Sequence, residues 1–449
     1  MTFQAETAEA LFKRAKAKGA TGGDILAIEG DSFETQVRFG TVEKISNARG
    51  KALGLRLFFG NRCAVTSTSD FSPDSLDRLL EDTCTLAKFA ASDEFAVGVA
   101  PINECSAQLP DLSLYDPSVE ALPMERRIEL AKEVEQAALC ADPRITNSEG
   151  GEFSSSKSHI LYVSSSGFVG RYPSSIASLS AVPVASEDGK MQRDYWYSTQ
   201  RFFELLESPA SIGKKAAHRA LRRMGARRVP TQKVPVVFDP EVAGSLLGHL
   251  AGALSGYAIY KGISFLAGRL GQKIASSGVT VFDDGTLPRA LGSRPFDAEG
   301  LPTRKLAVVE DGILKSYLLD RYSGRKLGRA STGHAARGIE DLPTVSPSNL
   351  YLAAGPEAPE QLLKSIRRGL YVTELIGFGV NLVTGDYSRG AVGFWIEGGE
   401  LAFPVEEITI AGTLQGMFEG IEVVGNDLSL NRRIASPTIK ISEMMVAGG

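Results

Sequence analysis

A chain of 449 residues is too long for one ordinary hydrophobic core, so two or three domains are expected. Its 43% hydrophobic and 23% charged residues are those of a globular protein and exclude extensive disorder. The 49 basic and 53 acidic residues leave a formal net charge of −4, which argues against non-specific nucleic-acid binding as the main role.

The opening MTFQAETAEALFKRAKAKG has acids near its start and an amphipathic pattern of Ala8, Leu11, Phe12 and Ala15. It reads as a helix over 5–18 and not as a secretory signal. Residues 24–70 alternate with period two, broken at Gly30-Asp31, Phe39-Gly40 and Gly60-Asn61, which predicts a meander of antiparallel strands. Ser72-Pro73-Asp74 then starts a helix with Leu76, Leu79, Leu80 and Cys84 on one face. Together these make an N-terminal α+β unit over 1–91. Cys63, Cys84, Cys105 and Cys140 form no CxxC pair, which excludes a zinc ribbon or dithiol motif and leaves reduced thiols as the expectation.

Residues 92–230 read as a connecting helix and strand region that completes the N-terminal part. Pro101, Pro110, Pro117 and Pro123 mark a crossing connection, followed by a helix from Pro123 to Ala141 and strands within 159–185 and 191–205. The serines at 154–156 and 164–166 suit the wet side of a sheet, and no G-x-S-x-G elbow supports a nucleophile. The helix over 210–226 carries Lys214, Lys215, Arg219, Arg222 and Arg223, with Arg227 and Arg228 beyond it. A solvated face with cations near the helix C-terminus explains them, and a nucleic-acid surface is the alternative.

A β-rich C-terminal domain is expected over 231–449. VPVVFDP predicts a buried strand at 234–239, and SLLGHLAGALSGY (245–257) predicts a helix with His249 among apolar neighbours. One imidazole with no further donor nearby reads as packing, because metal and catalytic chemistry needs several converging polar groups. Asp-Gly or Gly-Gly steps within 280–288, 306–320 and 393–405 predict hairpins, and Asp283 with Asp284 reads as turn chemistry before a metal pair. The most apolar tract, 246–260, is short for a bilayer span and is closed by Lys261, so a cytoplasmic location without membrane contact is expected.

Several longer stretches carry a resemblance. GVNLVTGDYSRGAVGFWIEGGELAFPVEEITIAGTL (379–414), STGHAARG (331–338), the segment 279–328, and VRFGTVEKI with GLRLFFGNRCAVTSTSD near the start resemble the TldD/PmbA family over nearly the full length. The resemblance implies an α+β, two-domain architecture: an N-terminal α/β unit with its meander and helices, then a β-rich domain. It also implies zinc-dependent hydrolysis or maturation of small or unfolded peptides in the cytoplasm, in a family whose members are also called modulators of DNA gyrase. Catalytic TldD-type members carry His-Glu-three residues-His where this chain has GHLAGA, so the ligand positions fall on Gly248 and Ala253 and the general-base position on His249. The family's C-terminal cysteine ligand is also missing.

The chain therefore resembles the PmbA (TldE) branch. The resemblance implies a chain with no catalytic residue, metal ligand or cofactor of its own. Zinc is then expected in a TldD-type paralogous partner within a heterodimer, with a homodimer possible for the isolated chain. His249, His334, Arg337, Asp386 and Arg389 are the candidates for lining a peptide chamber, beside glycine-rich strands at 377–399 that permit strand addition or simply turn. Two alternatives stay open: a self-sufficient homodimeric peptidase using His249, His334 and Asp386, and a DNA gyrase or nucleic-acid modulator using the basic helix.

Overall fold

The computed structural model describes residues 3–96, 98–105 and 109–448. Helix α1 (Ala5–Ala17) leads into β1 (Gly22–Arg38), β2 (Thr41–Phe59) and β3 (Arg62–Thr68), followed by α2 (Pro73–Phe89). The short helices α3 (Ile102–Cys105) and α4 (Pro117–Ala121) occupy the crossing segment before α5 (Met124–Leu139). Strands β4 (Ile145–Ser164), β5 (Val169–Glu187), β6 (Lys190–Arg193) and β7 (Trp196–Gln200) come next, then α6 (Pro209–Leu221).

These strands build one seven-stranded sheet in the order β3-β2-β1-β4-β5-β6, with β7 paired to β5. Its β1–β4 ladder joins the first 91 residues to the region after them along almost the whole of β1. Leu11, Phe12, Leu76 and Leu80 pack with Ile25, Leu53 and Leu55 under one end. Leu130, Val134, Ile212 and Ala216 pack with Phe153 and Leu179 under the other. The turn at Phe39-Gly40 has φ of 49° and 70°, the paired positive angles of a type I′ hairpin. Gly30 does not break the strand. It pairs with Gly50 on one side and Ser158 on the other, and a Cβ there would stand 2.3 Å from the Lys157 carbonyl oxygen. Close approach of a neighbouring backbone, not a turn, accounts for that glycine.

The C-terminal part starts with β8 (Gln232–Phe238), α7 (Pro240–Leu254) and α8 (Gly256–Tyr260). It continues through β9 (Val281–Asp284), β10 (Lys305–Glu310), β11 (Ile313–Leu314), α9 (Arg321–Lys326), β12 (Ala335–Ala336), β13 (Thr344–Val345) and β14 (Leu350–Leu352). After α10 (Pro359–Lys364) come β15 (Arg368–Ile376), β16 (Asp386–Glu397), β17 (Glu400–Thr413), α11 (Leu414–Glu419), β18 (Ile421–Val424), β19 (Ile434–Ala435) and β20 (Ile439–Ala447). A six-stranded sheet runs β17-β16-β15-β8-β20-β18, and a five-stranded one runs β11-β10-β9-β14-β19. Helix α7 packs against strands of both, with Leu246, Leu247, Leu250 and Leu254 in the shared core. The fold is mixed α/β, with the helices outweighed by strands.

Hairpins form at Asp311-Gly312 and Gly398-Gly399, whose φ values are all positive. The step at 283–285 differs: β9 pairs with β10 and β14, both reached by longer connections. Asp283 is a buried strand residue there, while Asp284 alone does turn chemistry, accepting from Thr286 N at 2.9 Å and Oγ1 at 2.6 Å. The helix predicted over 245–257 stops at Leu254, because Ser255 turns extended and bridges to Leu318.

The two parts are clamped by a buried ionic cluster. Asp24 on β1 accepts from Arg56 Nε at 3.0 Å and Tyr162 Oη at 3.2 Å, and lies 2.9 Å from Arg337 Nη2. Glu299 stands 3.8 Å from Arg56. Burial alone would raise the Asp24 carboxyl, but the charges of Arg337 and Arg56 outweigh it and leave the group below its ordinary range. Gly54 admits the segment beyond Arg337 to contact: a Cβ there would stand 2.0 Å from the Ile339 carbonyl oxygen.

Candidate functional site

Helix α7 starts cleanly because Asp239 accepts from Glu241 N and Pro240 occupies the first turn. Its third turn carries Gly248 and His249, and its fourth Ala253. Gly248 and Gly252 leave room for Ile434 Cδ1 and Leu382 Cδ1, which lie 4.0 and 3.0 Å from where a Cβ would sit. His249 is half-buried and meets the Tyr387 ring edge-on, with centroids 6.1 Å apart. Its Nε2, the Tyr387 hydroxyl and the Arg389 Nε are buried atoms without a hydrogen-bond partner among the described residues. These atoms lie on adjoining side chains, with the Arg389 guanidinium anchored through Nη2 to the Leu375 carbonyl at 3.3 Å, and they form a locus for a polar ligand or a partner's side chain.

Burial, and then the charge of Arg389, push the His249 imidazole below its ordinary range, so it is neutral near pH 7. Burial lifts the Tyr387 hydroxyl to about 12, against the pull of Arg389. A zinc ion does not fit this donor set. It would have one imidazole, a guanidinium beside it and aliphatic groups from Leu382 and Ile434, where three protein ligands are needed. Among the described residues no group of three or more His, Cys, Asp and Glu side chains converges to hold a metal ion.

The other sequence candidates fall in three places. Arg389 shares a face of β16 with Tyr387 and so stands beside His249, whereas Asp386 is exposed and accepts from Thr384 Oγ1 at 2.6 Å. His334 is not beside them: it is buried, with Nε2 3.0 Å from Asp283 Oδ1 and Nδ1 2.8 Å from Thr332 Oγ1. Asp283 is completed by the Ser348 N–H at 2.8 Å, so a closed polar network holds β9 to the loops around it. The Arg337 side chain is fully enclosed at the clamp with Asp24. Neither His334 nor Arg337 presents its side chain to an open wall of this chain, because each has a buried carboxylate partner. His249, His334 and Asp386, required together by a self-sufficient peptidase, do not converge.

Sequence reasoning missed Tyr387 and the pair Asp24 and Arg56. The signal for the latter was a charged residue inside apolar strand runs, GDILAI and LGLRLFF. The basic helix is also less free than its sequence implies. Lys215 pairs with Glu207 at 2.7 Å, Arg219 with Asp194 at 3.3 Å and Arg223 with Glu374 at 2.7 Å, and Arg222 lies over the Phe394 ring.

Comparison with known proteins agrees with this architecture. Three family models match in order: PmbA/TldA metallopeptidase domain 1 over 23–87, the central domain over 117–224 and the C-terminal domain over 231–448. The chain is 40% identical to the metalloprotease PmbA of Escherichia coli O157:H7, over 95% of this chain and 92% of that one. It is 26% identical to a metalloprotease TldD homologue of Haemophilus influenzae, over 80% and 84% of the two chains. A crystal structure of a candidate modulator of DNA gyrase from Bacteroides thetaiotaomicron superposes with a TM-score of 0.91 at 28% identity, covering 99% of this chain and 98% of that one. With its helix α7, its three matched domains and a relative at 40% identity over nearly its whole length, the chain belongs to the PmbA/TldD metalloprotease family.

Proposed function

We propose that this chain is the non-catalytic, PmbA-type half of a two-chain zinc metallopeptidase that cleaves or matures small or unfolded peptides in the cytoplasm. The observation that carries the reading is the composition of α7: Gly248, His249 and Ala253 stand where, by the family resemblance, TldD-type members carry two ligands and the base. The higher identity to the PmbA relative than to the TldD homologue favours the same branch. Catalytic zinc needs about three protein ligands and a bound water whose pKa it lowers. In this reading those groups come from the TldD-type partner.

His249, Tyr387 and Arg389 then serve the composite site by contact. Their unsatisfied atoms are buried in the isolated chain, so in this reading they meet the partner or the peptide only when the pair assembles, the neutral imidazole as an acceptor and the guanidinium as a cation. Peptide capture that tolerates many sequences is served by main-chain pairing at a strand edge. Strand addition does not fall on β15–β16, which are interior strands paired to β8 and β17 on their outer sides, and whose Gly390 and Gly393 admit Ile376 and the Tyr371 carbonyl of this chain. The gyrase or nucleic-acid reading gains little, since Lys215, Arg219 and Arg223 are committed to carboxylates and Arg222 to an aromatic ring.

The test is co-purification with metal analysis. The isolated chain is expected to carry far less than one zinc and to leave an unfolded peptide intact. Adding the TldD-type paralogue of the same organism brings zinc and cleavage together. Chelator-sensitive cleavage by the single chain would overturn the reading.

A further inference from the structure

A pocket of about 390 Å³ opens beside α9, lined by Arg304, Arg321, Arg325 and Arg329 with Glu104 as the one carboxylate in its wall. None of these four guanidinium groups forms an ion pair among the described residues. Several arginines elsewhere are held by acids, Arg56 by Asp24, Arg219 by Asp194, Arg223 by Glu374 and Arg432 by Glu241, while others such as Arg201 and Arg222 stand singly; here four gather on one wall. Four unpaired cations around one pocket, in a chain of net charge −4, mark a site built for an anion.

The inner pair is anchored. Arg321 Nη1 donates to the Gly98 carbonyl at 3.3 Å, and Arg325 Nη1 to that of Phe95 at 3.1 Å, so each keeps further N–H groups in a fixed orientation. Their spacing of four residues sets them on one side of α9, with roughly 5–6 Å between Cβ atoms. Burial first, and then the charge of Arg321, lower the proton affinity of Arg325, with Glu299 and Glu104 offsetting part of it. Arg304 and Arg329 are exposed and form an outer tier.

A forked guanidinium matches carboxylate and phosphate alike, so the pocket fixes the charge of the ligand and the peptide-processing reading selects the carboxylate. Two tiers of guanidinium groups can hold two separate carboxylates. A C-terminal acidic residue carries two such groups, its side chain and its terminus.

We propose that this arginine pocket binds the acidic C-terminal end of a peptide through paired carboxylates. The kind of ligand rests on the peptide-processing reading above; the charge rests on the pocket alone. The full-length chain is titrated, by fluorescence anisotropy, with a fluorescein-labelled peptide ending in Glu-Glu with a free terminus, and with the same peptide ending in Gln-Gln amide. The acidic peptide is expected to bind at least roughly tenfold tighter, with a steep loss on adding salt. Arg321→Gln with Arg325→Gln abolishes the preference. Arg304→Gln with Arg329→Gln, on exposed side chains, weakens it about threefold at unchanged thermal midpoint, which keeps the test sound if the inner variant unfolds. Equal affinity for the two peptides, or acidic binding untouched by all four substitutions, overturns the proposal. Binding of inorganic phosphate without binding of the acidic peptide overturns it in favour of a phosphoryl ligand. No partner, metal or cleavage enters this measurement, so it stands or falls apart from the two-chain reading.

Discussion

At the clamp between the two parts, Asp24 is the hinge of the energetics. It neutralises two arginines that are otherwise sealed from water, so removing it strands Arg337 and leaves Arg56 only the more distant Glu299. Asp24→Ala is expected to cost about 3–5 kcal/mol, the range for breaking a buried pair from one side. Urea unfolding measures it, and a loss below about 1 kcal/mol would contradict the assignment. Glu299 beside it titrates unusually. Burial raises its carboxyl to about 7; Arg56 opposes that, and the neighbouring Asp297 and Asp320 add to it. A carboxyl raised in the folded state takes up a proton that the unfolded chain releases, so stability falls as pH rises from about 4.5 towards 7. Glu299→Gln lacks this slope. Its stability relative to the parent should climb between pH 5 and pH 8, and a difference flat across that window would refute the titration. At α7, His249→Leu removes a buried acceptor that has no partner. The isolated chain should keep its stability or gain up to about 1 kcal/mol, while cleavage by the reconstituted pair falls.

At the scale of elements, local chemistry was legible and proximity was not. Phe39-Gly40, Asp311-Gly312 and Gly398-Gly399 announce hairpins because positive φ at consecutive residues restricts the residue types. Gly30 looked like another break, yet its reason lies on β4, far along the chain, where the Lys157 carbonyl needs its space. Asp283 looked like a turn residue for the same reason: its partners, His334 and Ser348, are distant in sequence. The missing ligands of α7 could be read because resemblance aligns Gly248, His249 and Ala253 with known positions. The unsatisfied trio could not, since it requires β16 to fold back on that helix. Gly54 gives an element-level test. Gly54→Ala would drive a methyl into the Ile339 carbonyl on the other part, costing about 1–3 kcal/mol as overpacking does. Protease sensitivity of the segment 338–342 should rise with it, and an unchanged digestion pattern would argue against the contact.

For the whole molecule, the first 91 residues share their sheet with strands from the region after them. The family models separate 23–87 from 117–224, but β1 is paired to β2 on one side and to β4 on the other. A gene cut after residue 91 would hand the cell a polypeptide whose longest unprotected ladder of amides and carbonyls has lost its cover. Such an orphan seeks any strand it can find, its own copies first. Production of that fragment should end in inclusion bodies, while a fragment carried on to residue 230 regains β4 and β5 and should stay in the supernatant.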